Sequence, residues 1–160
     1  MTKPTDVVIA TASASDLPAV AALFRAYAES LPVDLAYQDF QAELAGLPGK
    51  YAPPAGSLLL ARRADGAAVG CVALRSLEAV SVAEMKRLYV APEGRGLGLG
   101  RRLVEAVVEA ARRHGYRELR LDTLPTMTDA MALYERCGFE TMPPYYDTPV
   151  AGTRFMRRRL

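Results

Sequence analysis

Glycine stands at 94, 96, 98 and 100 in the stretch PEGRGLGLGRRLVEA, between a strand-like apolar run and an amphipathic one. Glycines so closely spaced are costly in backbone entropy, which a loop accepts when something must approach its main chain. Where a loop opens a helix, unpaired backbone N–H groups and the positive end of the helix dipole converge on one spot. That arrangement holds anions, phosphate above all. Arg95 and Arg101 could add charge-assisted hydrogen bonds to the phosphate oxygens. Tight packing of strand onto helix would explain one or two of these glycines, but not all four.

Two common phosphate loops are excluded by spacing. A Walker A loop ends in Gly-Lys-Ser/Thr, whereas Gly100 is followed by Arg101 and Arg102. The dinucleotide fingerprint GxGxxG fails as well, because its last glycine would fall at Arg101. What remains is Arg95-x-x-Gly98-x-Gly100 after RLYVAPEG, with LYERCGFE some forty residues on. Together these resemble the two signatures of the Gcn5-related N-acetyltransferase (GNAT) superfamily, over roughly residues 82–140. The resemblance implies acetyl-CoA as the acetyl-donor cosubstrate, with no metal. It also implies a mixed sheet whose two central parallel strands, here 82–90 and 118–123, splay to admit the pantetheine arm. Leu88, Tyr89 and Val90 would then line that arm, with the Val90 backbone meeting a pantetheine amide. The main chain of Arg95, Gly96, Leu97, Gly98, Leu99, Gly100 and Arg101 would cradle the pyrophosphate.

Acetylating an amine requires removal of a proton from an ammonium whose free pKa is about 10.4, so a base or proton path is needed. Strict alternation along 82–90 would put Glu84, Lys86, Leu88 and Val90 on one face. Glu84 is then about 20 Å from Val90 on an ideal strand, and would act through water; a salt bridge to Lys86 or Arg87 is the structural alternative. The resemblance makes Glu84 the base and Tyr134 the acid that serves the departing CoA thiolate. Ala130, Leu133 and Tyr134 match the second signature, while Met127 occupies its usual asparagine position. A core role on the helix stripe is the structural alternative for Tyr134.

The resemblance places the acceptor opposite the cofactor, between the early helices and the C-terminal strands. Tyr51, Tyr145 and Tyr146 are candidate walls, and Arg154 could bind a carboxylate on the acceptor. The expected acceptor is the primary amine of a small molecule. A protein N-terminus or lysine, or a CoA-binding module with little catalysis, are the alternatives. Family members often form homodimers.

The elements that must position these groups follow from periodicity. Short strands are expected over 7–12, 57–63, 68–77, 82–90 and 118–123, with two more in FETM and GTRFMRRRL. Asp65-Gly66 signals a hairpin between the second and third. Helices are expected after Ser13 or Ser15, over 36–47, from 99 to a stop at His114-Gly115, and over 126–138. The prolines and glycines of 48–56 require a loop. The sum is one α/β domain over 1–160 with a mixed sheet of six or seven strands.

Composition agrees with that class. A formal charge of +2 on 160 residues is far from the basic footprint of a nucleic-acid binder. The arginine clusters at 101–102, 112–113 and 157–159 read as solvated faces. Cys71 and Cys137 lack metal-ligand spacing. His114, the only histidine, reads as a helix C-terminal cation. The opening MTKPTDVVIATASASD has no apolar run suited to a signal peptide or membrane span, so the cytoplasm is the expected compartment.

Overall fold

The computed structural model describes residues 6–160, so MTKPT, read above for a targeting signal, lies outside the described residues. Along the chain come β1 (Val7–Thr11), α1 (Leu17–Glu29), α2 (Phe40–Ala45), β2 (Ser57–Arg63), β3 (Ala68–Ser76) and β4 (Val82–Val90). They are followed by α3 (Leu99–Arg113), β5 (Glu118–Thr123), α4 (Thr128–Arg136), β6 (Glu140–Met142) and β7 (Arg154–Arg159). Seven strands form one sheet in the order β1-β2-β3-β4-β5-β7-β6. Among the described residues only β4 and β5 pair in parallel. Such a pair needs a crossover, which α3 supplies.

Helices cover both faces. Leu103, Val104, Val107, Val108 and Ala111 recur at helical spacing on α3 and are fully buried, against Leu59, Val72, Leu74, Met85, Leu119 and Leu121 of the sheet. Burying each leucine or valine stabilises the fold by about 1.5–3 kcal/mol. On the other face Val20, Leu23 and Phe24 of α1 and Phe40 of α2 pack on Leu58, Leu60, Cys71 and Ala73. None of the helices among the described residues is long and apolar enough to cross a membrane.

Two expected elements differ. The helix anticipated over 36–47 is a 3-10 turn over Leu35–Gln38 followed by α2, because Asp39 takes a left-handed conformation with φ of 55° and breaks the run. The loop 48–56 contains its own 3-10 turn, Gly49–Tyr51.

The third difference matters for the site. Register across β3 and β4 passes from Ala73↔Lys86 to Cys71↔Tyr89, so Arg87 and Leu88 together oppose Val72. This is a β-bulge, and Arg87 takes φ of 60° within it. The bulge resets the alternation. Ala83, Met85, Leu88 and Val90 face α3, whereas Arg87 and Tyr89 meet Tyr27 of α1 on the other face. Glu84 therefore does not share a face with Val90, correcting the expectation from strict alternation.

Candidate active site

The glycine loop caps the N-terminus of α3, with Gly98 as the N-cap residue. Its four glycines divide by cause. Gly96 and Gly98 have φ of 82° and 66°, and a Cβ on either would touch nothing within 4 Å, so backbone conformation alone selects glycine there. Gly94 and Gly100 are packing positions. A Cβ on Gly94 would lie 3.0 Å from the Val69 carbonyl oxygen, and one on Gly100 would lie 3.2 Å from Leu133 Cδ2. The loop thus turns sharply while α3 and α4 close on each other.

The loop borders a cleft of about 740 Å³, large enough for an extended cofactor. Leu88, Tyr89, Val90, Arg95, Gly96, Gly98, Leu99, Gly100 and Arg101 all line it, together with Met127, Ala130, Leu133 and Arg136 of the α4 region. Leu97 is exposed and lies off the cleft. Arg95 donates from Nε to the Val90 carbonyl at 3.3 Å, which ties the loop to the end of β4. Arg102 donates instead to the Val7 carbonyl at 2.9 Å, bracing α3 against β1.

Where the cleft narrows it enters the sheet. β4 and β5 pair only from Val82↔Glu118 to Glu84↔Arg120 and then diverge. The resulting gap is lined by Lys86, Arg87, Leu88, Asp122, Thr123, Tyr27 and Tyr134, among others. Tyr134 is buried, with its ring edge-on to Phe139 at 6.0 Å. Burial in this apolar setting pushes its phenol well above the usual tyrosine value. Tyr27 on the opposite wall is also raised by burial, to about 12. Both phenols therefore remain protonated at neutral pH. Thr123 is buried beside them, and its hydroxyl has no hydrogen-bond partner among the described residues.

Beyond the gap, on the α1 face, lies a polar pocket of about 430 Å³. Its walls include Tyr37, Gln38, Lys50, Arg75, Glu84, Lys86, Arg120, Tyr145 and Tyr146. Tyr145 donates to Glu84 Oε2 at 2.5 Å, and Tyr146 donates to Asp122 Oδ2. The two tyrosines and Phe155 form a triangle of edge-on rings with centroids 5.1–5.6 Å apart. This triangle fixes the loop between β6 and β7 over the sheet. Glu84 is 2% exposed, with Arg75 at 3.6 Å and Lys86 at 3.8 Å from its Oε1.

The structure thus gathers Glu84, Tyr145 and Tyr146 in one pocket and brings Tyr134 to the gap that opens onto it. Two expected residues fall elsewhere. Tyr51 is 1% exposed and packs edge-on against Phe24 at 6.1 Å, so it forms core and not pocket wall. Arg154 is exposed at the start of β7 and borders neither pocket nor gap. His114 caps α3 and its Nε2 is 3.1 Å from Ser57 Oγ. Cys71 and Cys137 are buried and unpaired. No cluster of three or more histidine, cysteine or acidic residues suited to a metal occurs among the described residues.

Sequence reasoning missed Asp122, Arg75, Tyr37 and Gln38. Alternation did contain a signal for Asp122, since Arg120 and Asp122 interrupt the apolar set of ELRLDT on a single face. Nothing local marks Arg75, whose role depends on register with Glu84 across the β3/β4 pair.

Comparisons with known proteins agree with this geometry. Residues 17–139 match the family model described as "Acetyltransferase (GNAT) family". An uncharacterised N-acetyltransferase of Schizosaccharomyces pombe is 40% identical over 98% of this chain and 97% of that one. The N-acetylaspartate synthetase of Rattus norvegicus is 34% identical over 72% of this chain and 40% of that one. The aminoglycoside N(6')-acetyltransferase type 1 of Stenotrophomonas maltophilia is 36% identical over 53% and 60%. Among solved structures, a GCN5-related N-acetyltransferase from Kribbella flavida superposes with a TM-score of 0.73 at 26% identity, covering 99% of this chain and 100% of that one. With the glycine loop, the splayed β4/β5 pair and the family match extending over most of its length, the chain belongs to the GNAT family of acyl-CoA-dependent N-acetyltransferases.

Proposed function

We propose that this protein transfers the acetyl group of acetyl-CoA to a primary amine of a small molecule, by direct attack in a ternary complex. The observation that carries the reading is continuity through the sheet. Leu88, Tyr27 and Met127 border both the glycine-loop cleft and the gap, while Tyr37, Gln38 and Lys86 border both the gap and the polar pocket. A donor on one side and an acceptor on the other can therefore meet between β4 and β5. The pocket, about 430 Å³ and lined by several polar side chains, is of small-molecule size, which favours a small molecule over a protein segment. Two relatives whose names point to aspartate and aminoglycosides are consistent with that class.

Acetyl-CoA supplies the reactive thioester. The amides of the loop and first turn of α3 bind its pyrophosphate, with Arg95 and Arg101 adjacent. Leu88, Tyr89 and Val90 hold the pantetheine arm where β4 has left its partner. Tyr134, kept protonated by burial, donates a hydrogen bond to the leaving sulfur, whose free thiol pKa is about 8.5. Asp122 and Glu84 receive the proton lost by the ammonium. Asp122 borders the gap directly, whereas Glu84 lies beyond Lys86 and works through water.

An acceptor screen tests this, reading thiol release from acetyl-CoA and product mass together. An acetylated small amine is the expected product. Tight CoA binding with no acetylated product from any acceptor would reduce the protein to a CoA-binding module. Product formation only on peptide N-termini or lysines would move it to the protein acetyltransferases.

A further inference from the structure

The polar pocket contains four cations, and they are not equally committed. Lys50 Nζ is 3.2 Å from Glu43, and Arg120 Nε donates to Glu118 at 2.5 Å. Arg75 and Lys86 differ. The nearest carboxylate to the Arg75 guanidinium is 3.6 Å away, and its buried Nε has no hydrogen-bond partner. Lys86 is 9% exposed and sits 3.8 Å from Glu84 and 3.9 Å from Asp122, too long for a hydrogen bond to either.

Glu84 and Asp122 cannot make up the deficit, and Glu78, exposed on the same wall, pairs with neither cation. The second oxygen of Glu84 is taken by Tyr145, and the second oxygen of Asp122 by Tyr146. The buried Nε of Arg75 is thus an unfilled donor, which carries a desolvation cost, and Lys86 faces the same pocket without a hydrogen bond to either carboxylate. A ligand that brings its own acceptors relieves that cost. Arginine suits a planar carboxylate, which it can bind through two parallel N–H groups.

Resting on the acetyl-transfer reading above, we infer that the acceptor is an amine that also bears a carboxylate. Arg75 and Lys86 bind that carboxylate in the polar pocket. Its amine extends past Lys86 into the gap beside Asp122. Arg75 and Glu84 lie directly opposite each other across the β3/β4 pair, and Arg75 lines the pocket but not the gap. Lys50 and Arg120 reinforce the discrimination, because the pocket wall carries four cations against the two carboxylates Glu78 and Glu84, a net positive setting for an amine with extra charge. Arg75, on β3, is thereby a specificity-determining residue outside the acetyl-transfer machinery itself.

The test uses matched acceptors, each an amino acid paired with its own carboxamide, plus a linear polyamine, with acetyl-CoA and the full-length enzyme. The free acid should have a kcat/KM about 100-fold above its amide, the size expected when a charge-paired group is removed. Arg75→Met should raise KM for the acid by a similar factor while KM for the amide moves little, and the loss of the Glu84 charge partner should lower kcat for both alike, with Arg75→Lys between them. Calorimetric titration of non-nucleophilic acids and amides into the CoA-bound protein gives an independent reading. If every acceptor fails to turn over, the transfer reading fails, but preferential binding of acid over amide would still support the anion site. Equal binding or turnover of acid and amide, preference for the polyamine, or an Arg75→Met rise in KM identical for both acceptors would overturn it.

Discussion

Arg87 and Glu43 join the β4 bulge to helix α2 through two parallel hydrogen bonds, Nε to Oε2 at 2.9 Å and a terminal guanidinium nitrogen to Oε1 at 3.0 Å. Arg87 also donates to Gln38 at 2.8 Å and lies 5.2 Å from the Phe40 ring centroid. The strained residue of the bulge is thus the one that ties down the segment walling the acceptor side. Leucine at position 87 would leave Glu43 buried with only Lys50 as a charged partner. Arg87→Leu should therefore cost about 3–5 kcal/mol, read as a lower urea midpoint. An unchanged midpoint would show that the pair contributes nothing net.

The same pair sets a pH dependence. Desolvation is the largest influence on the Glu43 carboxyl and pushes it up, but hydrogen bonds and charge from Arg87, aided by Lys50, outweigh it and hold the carboxyl below its usual value. A depressed folded-state pKa contributes stability that is fully present above the unfolded value of about 4.3 and is lost as pH falls through the folded value. Stability should thus drop below about pH 4, and Glu43→Gln should flatten that acid limb. An equally steep limb in Glu43→Gln would assign the acid sensitivity to other carboxylates.

Tyr134 lines the gap with a protonated phenol. Tyr134→Phe preserves the ring packing on Phe139 and removes only the donor. Turnover should fall about 100-fold, the lower range for loss of a positioned proton donor. CoA affinity should stay within a factor of about two, since the loop and β4 contacts are untouched. Unchanged turnover would leave Tyr134 as a packing residue.

The two carboxylates are distinguished by where they sit. Asp122 borders the gap and Glu84 does not. Asp122→Asn should lower kcat/KM more than Glu84→Gln, and added small-molecule base should rescue the former better. The reverse order would make Glu84 the direct base.

How much of this was legible in the sequence follows from how local each feature is. The glycine loop and the ends of α3 are written in contiguous residues, so the sharp turn and the helix start could be read from glycine spacing. The order of strands and helices was equally local, because burial on one face imposes a period of two or 3.6. The bulge was not. Its residue Arg87 meets Glu43 forty-four residues away, and without the bulge alternation puts Glu84 on the same face as Val90. Tyr51 and Arg154 failed as pocket residues for a related reason: residue type suggests chemistry, but only tertiary packing decides that Tyr51 turns into the core. Arg75 was invisible because its meaning lies in cross-strand register.

The division of labour among the loop glycines leads to the last prediction. Gly98 has φ of 66°, and space around it is open. A Cβ there meets nothing within 4 Å, so the cost of a valine lies first in backbone strain, about 1–3 kcal/mol for a non-glycine residue held in this region. That strain can be released by reshaping the loop while the core remains intact, since Leu99 and Leu103 anchor α3 independently. The cost should then appear in cofactor binding and not in stability. Gly98→Val should weaken CoA binding by about 10-fold or more, at roughly 1.4 kcal/mol per decade, measured calorimetrically. Gly100→Val makes the contrast, because Leu133 Cδ2 lies only 3.2 Å from the added Cβ and must give way. Its penalty should fall on the α3/α4 contact and lower the urea midpoint. Leu97→Ser, on an exposed residue outside the cleft, should alter neither. If Gly98→Val bound CoA as tightly as the natural chain, the left-handed turn would have no part in holding the phosphates.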